Sequence, residues 1–180
     1  MTHFCVGKDG IVYQFFPLKN WAFHLGVREL PKGSLDKVSI GIEIVNVGPL
    51  VLRGDELNWW PRDYNATYCN VEDADQYYPH EIWRGFTYSA TYTRAQYDSV
   101  GKLVAWLCAS EGINPSIWDV DAAYKLDGLP DFSGVFTHVN CRKDKTDLSK
   151  AFNWDFFNTL MTTAYAEYKE NFASYDDPLI

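Results

Sequence analysis

The chain opens with two short runs of β-prone residues, His3 to Gly7 and Ile11 to Phe16, joined around Asp9-Gly10. That dipeptide tolerates the positive φ of a tight turn, so the pattern predicts a hairpin. Val38 to Val47 is almost continuously apolar and β-branched, broken only by Ser39, Gly41, Glu43 and Asn46. Such a run predicts a strand covered on both faces, in which Glu43 is out of place. From Gly48 to Tyr92 the periodicity dissolves into a polar, aromatic stretch containing Pro49, Pro61 and Pro79, which reads as a long ordered loop of the kind that shapes a site. Thr93 with Gln96 three residues on forms a helix-start signature, and Tyr97, Val100, Val104 and Leu107 then share one face until Gly112 stops the helix. A short strand is expected at Gly134 to His138. A second amphipathic helix follows Asn153, with Trp154, Phe157, Leu160, Met161, Tyr165 and Tyr168 turned inward. The sum is an α/β fold with a mixed central β-sheet flanked by helices, one domain over residues 1–173 with an insert at 48–92, and a loose tail at 174–180.

Composition narrows the function. With 180 residues, 47% apolar and 17% aromatic, the chain has ample material for one packed core. A net charge of −8 repels phosphate backbones, and no basic run offsets it, so nucleic acid is excluded as a partner. No segment reaches the roughly eighteen apolar residues of a membrane span, and His3, Lys8 and Asp9 stand where a signal peptide would need its apolar centre. Cys5, Cys69, Cys108 and Cys141 include no C-x-x-C pair, which argues against a structural zinc knuckle and for free thiols. Cys5 in its strand and Cys108 on its helix read as small core residues.

Four polar groups sit among awkward neighbours: Glu43 in the apolar strand, His138 at the end of another, and Lys145 and Asp147 in the turn beyond. Imidazole nitrogen and carboxylate oxygen are zinc donors, a second carboxylate can carry a proton, and a cation can steady an oxyanion. Each alone also has an ordinary reading, as a satisfied strand-end histidine, a solvated lysine, a capping aspartate or an edge glutamate.

Several segments together resemble one family. Residues 2–14, Thr-His-Phe-Cys-Val-Gly-Lys-Asp-Gly-Ile-Val-Tyr-Gln, are similar to the hairpin of zinc-dependent N-acetylmuramoyl-L-alanine amidases of type 2, a fold shared by phage amidases and peptidoglycan recognition proteins. Trp21-Ala22-Phe23-His24-Leu25-Gly26 resembles that family's A-W-H-A-G loop with one residue inserted. Ser39-Ile40-Gly41-Ile42-Glu43 matches its S-I-G-I-E strand, and Asn46-Val47-Gly48-Pro49-Leu50 continues in the same way. Tyr92-Thr93-Arg94-Ala95-Gln96 resembles the start of its long helix, and His138 through Trp154 its closing motif. The resemblance implies zinc held by His138 and Asp147, proton handling by Glu43, an oxyanion steadied by Lys145, and a substrate groove lined by Trp21, His24 and His3. Thr137 replaces the usual glycine before His138, and Leu148-Ser149-Lys150 replaces Pro-Gly-Pro after Asp147.

The family's first zinc histidine lies upstream of the hairpin, where this chain begins, so the third ligand is left open among His3, His24, His80 and Cys141. Two functions follow. One is hydrolysis of the amide between N-acetylmuramic acid and L-alanine, in the manner of a phage or prophage endolysin acting on the cell wall. The other is a module, or a fragment of an amidase, that holds peptidoglycan or muropeptide without cutting it. Trp59, Trp60, Tyr68, Tyr77, Tyr78, Trp83 and Phe86 in the insert offer flat faces to sugar rings or to their own packing. A sheet lacking the upstream strand is expected to self-associate or take up a partner's strand along Val38 to Val47 or Gly134 to His138.

Overall fold

A computed structural model describes residues 1–31, 34–60, 63–120 and 124–175. The expected hairpin is present: β1 (Phe4–Val6) runs antiparallel to β2 (Val12–Gln14). Its turn is closed by the Asp9 carboxylate, which accepts the Ile11 amide at 3.0 Å, with Gly10 at φ 82°. A side chain on Gly10 would meet the Ala95 carbonyl oxygen at 2.7 Å, so glycine is needed both for the turn and for its approach to the first long helix. β3 (Ile42–Ile44) lies parallel to β1, giving a three-stranded mixed sheet of order β2-β1-β3.

The strand expected over Val38 to Val47 is thus much shorter, and it is not covered on both faces. β3 is an edge strand, Glu43 is exposed, and Val38 and Val45 are 76% and 44% exposed. A lone carboxylate in an apolar run marks the side where packing stops, which resolves the anomaly of Glu43.

The segment 48–92 is not a loop. It forms a five-stranded antiparallel sheet of β4 (Pro49–Arg53), β5 (Glu56–Trp59), β6 (Ala66–Asn70), β7 (Tyr77–Trp83) and β8 (Phe86–Ala90), ordered β6-β5-β4-β8-β7. Its core consists of buried Leu50, Leu57, Cys69 and Ala90, against which Val47, Trp59, Tyr68, Tyr77 and Tyr88 pack. Of the prolines that suggested a loop, Pro49 opens its strand and Pro79 lies on edge strand β7, both permitted places, while Pro61 lies outside the described residues. Strands of four to seven residues, bulged at Leu57/Asn58 and between Pro79 and Trp83, leave too little uninterrupted alternation to be read.

Helix α1 (Arg94–Glu111) begins and ends as expected. The Thr93 hydroxyl accepts the Gln96 amide at 3.1 Å and donates to the Lys8 carbonyl at 2.7 Å, while Gly112 ends the helix at φ 67°. The Gln96 side chain, 1% exposed, accepts the Thr93 amide and donates to the Val45 carbonyl at 2.7 Å. One helix terminus is thereby fastened to both the hairpin and β3. Helix α3 (Trp154–Tyr175) starts where Asn153 caps the Phe156 amide, and it runs into the expected tail; residues 176–180 lie outside the described residues. Val100, Val104, Ala105 and Cys108 of α1 pack with Phe157, Met161 and Ala164 of α3, and Val6, Ile42 and Ile44 of the sheet join this core. The mixed sheet therefore has its helices on one face. The strand expected at Gly134 to His138 is reduced to a single bridge from Val135 to Ile117, and His138 instead begins a short helix, α2 (His138–Cys141). The four cysteines are free, and Cys108 is buried as expected.

Candidate active site

Strand alternation turns Phe4, Val6, Ile42 and Ile44 towards the helices, and His3, Cys5 and Glu43 towards the opposite face. Residues 17–31 and 34–40 meet this second face at His3 and Gly41. His3, 1% exposed, is the joint between the two: its Nε2 donates to the Asn20 carbonyl at 2.9 Å and its Nδ1 accepts the Gly41 amide at 3.0 Å. His24 packs edge-on to His3, ring centroids 5.9 Å apart, and lies directly over Gly41. Any Cβ at position 41 would stand 2.7 Å from the His24 ring.

His24 Nδ1 donates to the Ala22 carbonyl at 2.6 Å, and its Nε2 meets the Ser39 hydroxyl at 3.2 Å. Burial lowers the affinity of this ring for a second proton, against the opposing pull of the Ala22 carbonyl and Asp36. The backbone of the same residue does separate work. The His24 and Leu25 amides both donate to Asp36 Oδ1 at 2.7 Å, and the His24 carbonyl accepts His138 Nε2–H at 2.8 Å.

Because a carbonyl can only accept, that last bond places a proton on His138 Nε2 and leaves Nδ1 facing Asp147 Oδ2, with which it is in hydrogen-bond contact. Two lone pairs aimed at one another require a cation between them, a proton or a metal. Desolvation pulls the His138 pKa down, but the bond and charge of Asp147 together with the His24 carbonyl outweigh it and raise the value. Burial pushes Asp147 up, and the bond and charge of His138 outweigh that and bring it down. The pair is therefore an imidazolium and a carboxylate when the bridging cation is a proton. The turn bearing Asp147 folds back onto α2, the Val139 amide donating to the Asp147 carbonyl at 3.2 Å. Asn140, 2% exposed, accepts the Thr137 amide at 2.8 Å and sets the start of α2.

Lys145 is half-buried, and its charge bears on both His138 and Asp147, lowering the pKa of each. Glu43 is exposed on the sheet face beyond Gly41, level with Cys5; burial and then Glu43 raise the Cys5 thiol. No hydrogen bond or ion pair joins Glu43 to His138, Asp147 or Lys145 among the described residues. Trp21 is 54% exposed, with the Lys37 ammonium 5.8 Å from its ring.

Zinc needs at least three protein donors. Among the described residues no three His, Cys, Asp or Glu side chains form such a group. His3 has both nitrogens engaged by main chain. His80 lies in the insert, bonded through Nε2 to Ser89 at 3.0 Å. Cys141 is fully buried among Leu25, Val27, Leu35 and Leu129, its thiol pushed up to about 11 chiefly by burial. His138 and Asp147 nevertheless fit a zinc site as far as they go: the donor types are right, they converge, and the second nitrogen of the histidine is fixed by a carbonyl.

Beside the pair lies an open groove of about 480 Å³ lined by Phe23, Gly26, Val27, Arg28, Leu30 and Arg142. The insert reaches the same region, since the Arg84 guanidinium at the β7–β8 turn donates to the Lys143 carbonyl, two residues before Lys145. Sequence reading gave no sign of Asp36 or Arg84, because both bond backbone groups brought close only by the fold, and Ser39 stood out only as part of the matched strand motif.

These features define an α/β fold in which a histidine and a carboxylate, His138 and Asp147, meet beside the loop of His24. The chain belongs to the N-acetylmuramoyl-L-alanine amidase family, whose model matches residues 1–148 and so spans both sheets, α1, α2 and the His138–Asp147 pair. It is a family of hydrolases acting on peptidoglycan amide bonds. No curated protein and no solved structure gives a match to the chain. No helix among the described residues is long and apolar enough to cross a membrane.

Proposed function

We propose that the chain is a zinc-dependent N-acetylmuramoyl-L-alanine amidase that hydrolyses the amide between the lactyl group of N-acetylmuramic acid and L-alanine. The observation that carries this reading is the convergence of His138 Nδ1 and Asp147 Oδ2, with His138 Nε2–H held by the His24 carbonyl. Zinc held by these two residues and a further donor would supply Lewis acidity towards the amide carbonyl and towards water.

The remaining work falls to the chain. Glu43, exposed on the site face, accepts the proton of the attacking water and passes it to the departing alanine nitrogen. Lys145 steadies the negative charge that develops on the carbonyl oxygen. Water adds to the carbonyl carbon, the C–N bond breaks, and the products are a lactyl carboxylate and a free amino group. Trp21 and the loop of His24 line the substrate face, with His3 acting through the loop it holds. Phe23, Val27 and Leu30 give the adjoining groove apolar walls, and Arg28 suits an acidic group of a stem peptide, Arg142 being engaged by Asp144 and the Leu25 carbonyl.

A second reading, a muropeptide-binding module with an incomplete centre, is favoured by the lack of a third donor among the described residues. Incubating the chain with a muropeptide and zinc separates the two. Appearance of free stem peptide in the chromatogram supports the amidase, and saturable binding in calorimetry with the amide intact supports the module.

A further inference from the structure

We propose that Asp36 is the positioning residue for His138, acting through the single peptide unit that joins His24 to Leu25. The Leu25 N–H and the His24 C=O belong to that one planar trans peptide and point in opposite directions. Asp36 Oδ1 holds the N–H at 2.7 Å on one side, and the carbonyl holds His138 Nε2 at 2.8 Å on the other. The preceding His24 amide donates to the same carboxylate oxygen at 2.7 Å, so the peptide cannot rotate about its neighbours without losing two charge-assisted bonds. Asp36 is 2% exposed, and a carboxylate at that depth is held by groups arranged around it. Hydrogen bonds in series polarise one another, so the carboxylate also strengthens the carbonyl as an acceptor. The consequence at the far end is that His138 keeps its proton on Nε2 and its Nδ1 lone pair aimed at the Asp147 side. The inference rests on the amidase reading only in assigning that lone pair to a metal.

The test uses the full chain and its Asp36→Ala and Asp36→Asn variants. The first readout is the His138 Nε2 proton in the metal-free protein, observed by imidazole nitrogen-proton correlation; with four histidines in the chain, assignment is direct. The second is zinc affinity by competition with a chelating dye. The parent should show a protected Nε2–H. Asp36→Ala should lose that protection and bind zinc roughly 10–100-fold more weakly, as removal of outer-shell partners does elsewhere. Asp36→Asn keeps an oxygen acceptor without the charge and should give faster proton exchange than the parent, with Nε2 still protonated. If Asp36→Ala does not fold, Asp36→Asn decides alone. Exchange of the His138 proton unchanged from the parent in every variant that folds overturns the proposal, since a mere loop staple would leave it untouched. Should the parent bind no zinc at all, the amidase reading falls while the proton measurement still decides the role of Asp36.

Discussion

Replacing Gly41 with alanine probes how the loop of His24 is seated on the sheet. The added methyl group would lie 2.7 Å from two carbons of the His24 ring and 2.7 Å from the Thr2 hydroxyl. Contacts that short do not occur between real atoms, and neither neighbour has free space: Thr2 Oγ1 is buried, and His24 is pinned through Ala22, Ser39 and Asp36. The ring must move, and the backbone bonds that hold its loop must stretch with it. Overpacking of this kind costs about 2 kcal/mol, which for a domain of this size lowers Tm by about 4–8 °C. A displaced His24 carbonyl also releases His138 Nε2, so zinc affinity should fall by roughly tenfold or more. Thermal melting followed by circular dichroism and dye competition for zinc measure the two effects. A Gly41→Ala protein that melts within about 1 °C of the parent and binds zinc equally well would refute the seating of His24 on Gly41 and its coupling to the metal side.

Lys145→Ala and Glu43→Gln should each lower kcat about a hundredfold or more with little change in Tm, because the proposed mechanism has both side chains act on charge in the transition state and neither is buried; parental turnover in both variants would remove them from the mechanism. In the metal-free chain, the raised His138 contributes stability below its unfolded pKa near 6.5 that is lost as pH rises through its folded value. The lowered Asp147 contributes stability above 3.8 that is lost as pH falls. The Tm gap between parent and His138→Ala should therefore be widest between about pH 4 and 6.5, and, with Asp147 half open to solvent, worth under about 1 kcal/mol. A gap that grows steadily above pH 7 would contradict the ion pair. Flanking edge strand β3, exposed Val38 and Val45 invite pairing with a second copy. Light scattering should show association that rises with concentration and is suppressed by Val45→Lys, whereas a monomer throughout would show the edge to be protected.

Where structure depends on neighbours in sequence, the chain could be read directly. The Asp9-Gly10 hairpin, the Thr93–Gln96 cap and the stop at Gly112 are set by contacts a few residues apart, and the inward face of α3 shows in the helical spacing of its apolar residues. The insert is opaque because its strands pair across turns and bulges, and its core draws one or two residues from each of several strands. Val38 to Val47 misled for a related reason: apolar runs show that packing is available, not that both faces use it. At the site, Glu43, His138, Lys145 and Asp147 stand out by their awkward neighbours and gain roles only through motif resemblance, as does the loop of His24, and the fold brings His138 to Asp147 and to the His24 carbonyl. The support beneath them was invisible. Asp36 reads as any surface acid, and only folding carries its carboxylate to two backbone amides.

Hydrolysis of a muropeptide in heavy-oxygen water tests the central claim most directly. With zinc present, the chain should release a stem peptide with a free amino-terminal alanine, and mass spectrometry should find the heavy oxygen in the lactyl carboxylate of N-acetylmuramic acid, with both signals abolished in His138→Ala. Heavy oxygen found instead in a peptide carboxyl group or at a sugar reducing end, or label incorporation that persists in His138→Ala, would contradict the assignment of this site as the amidase centre.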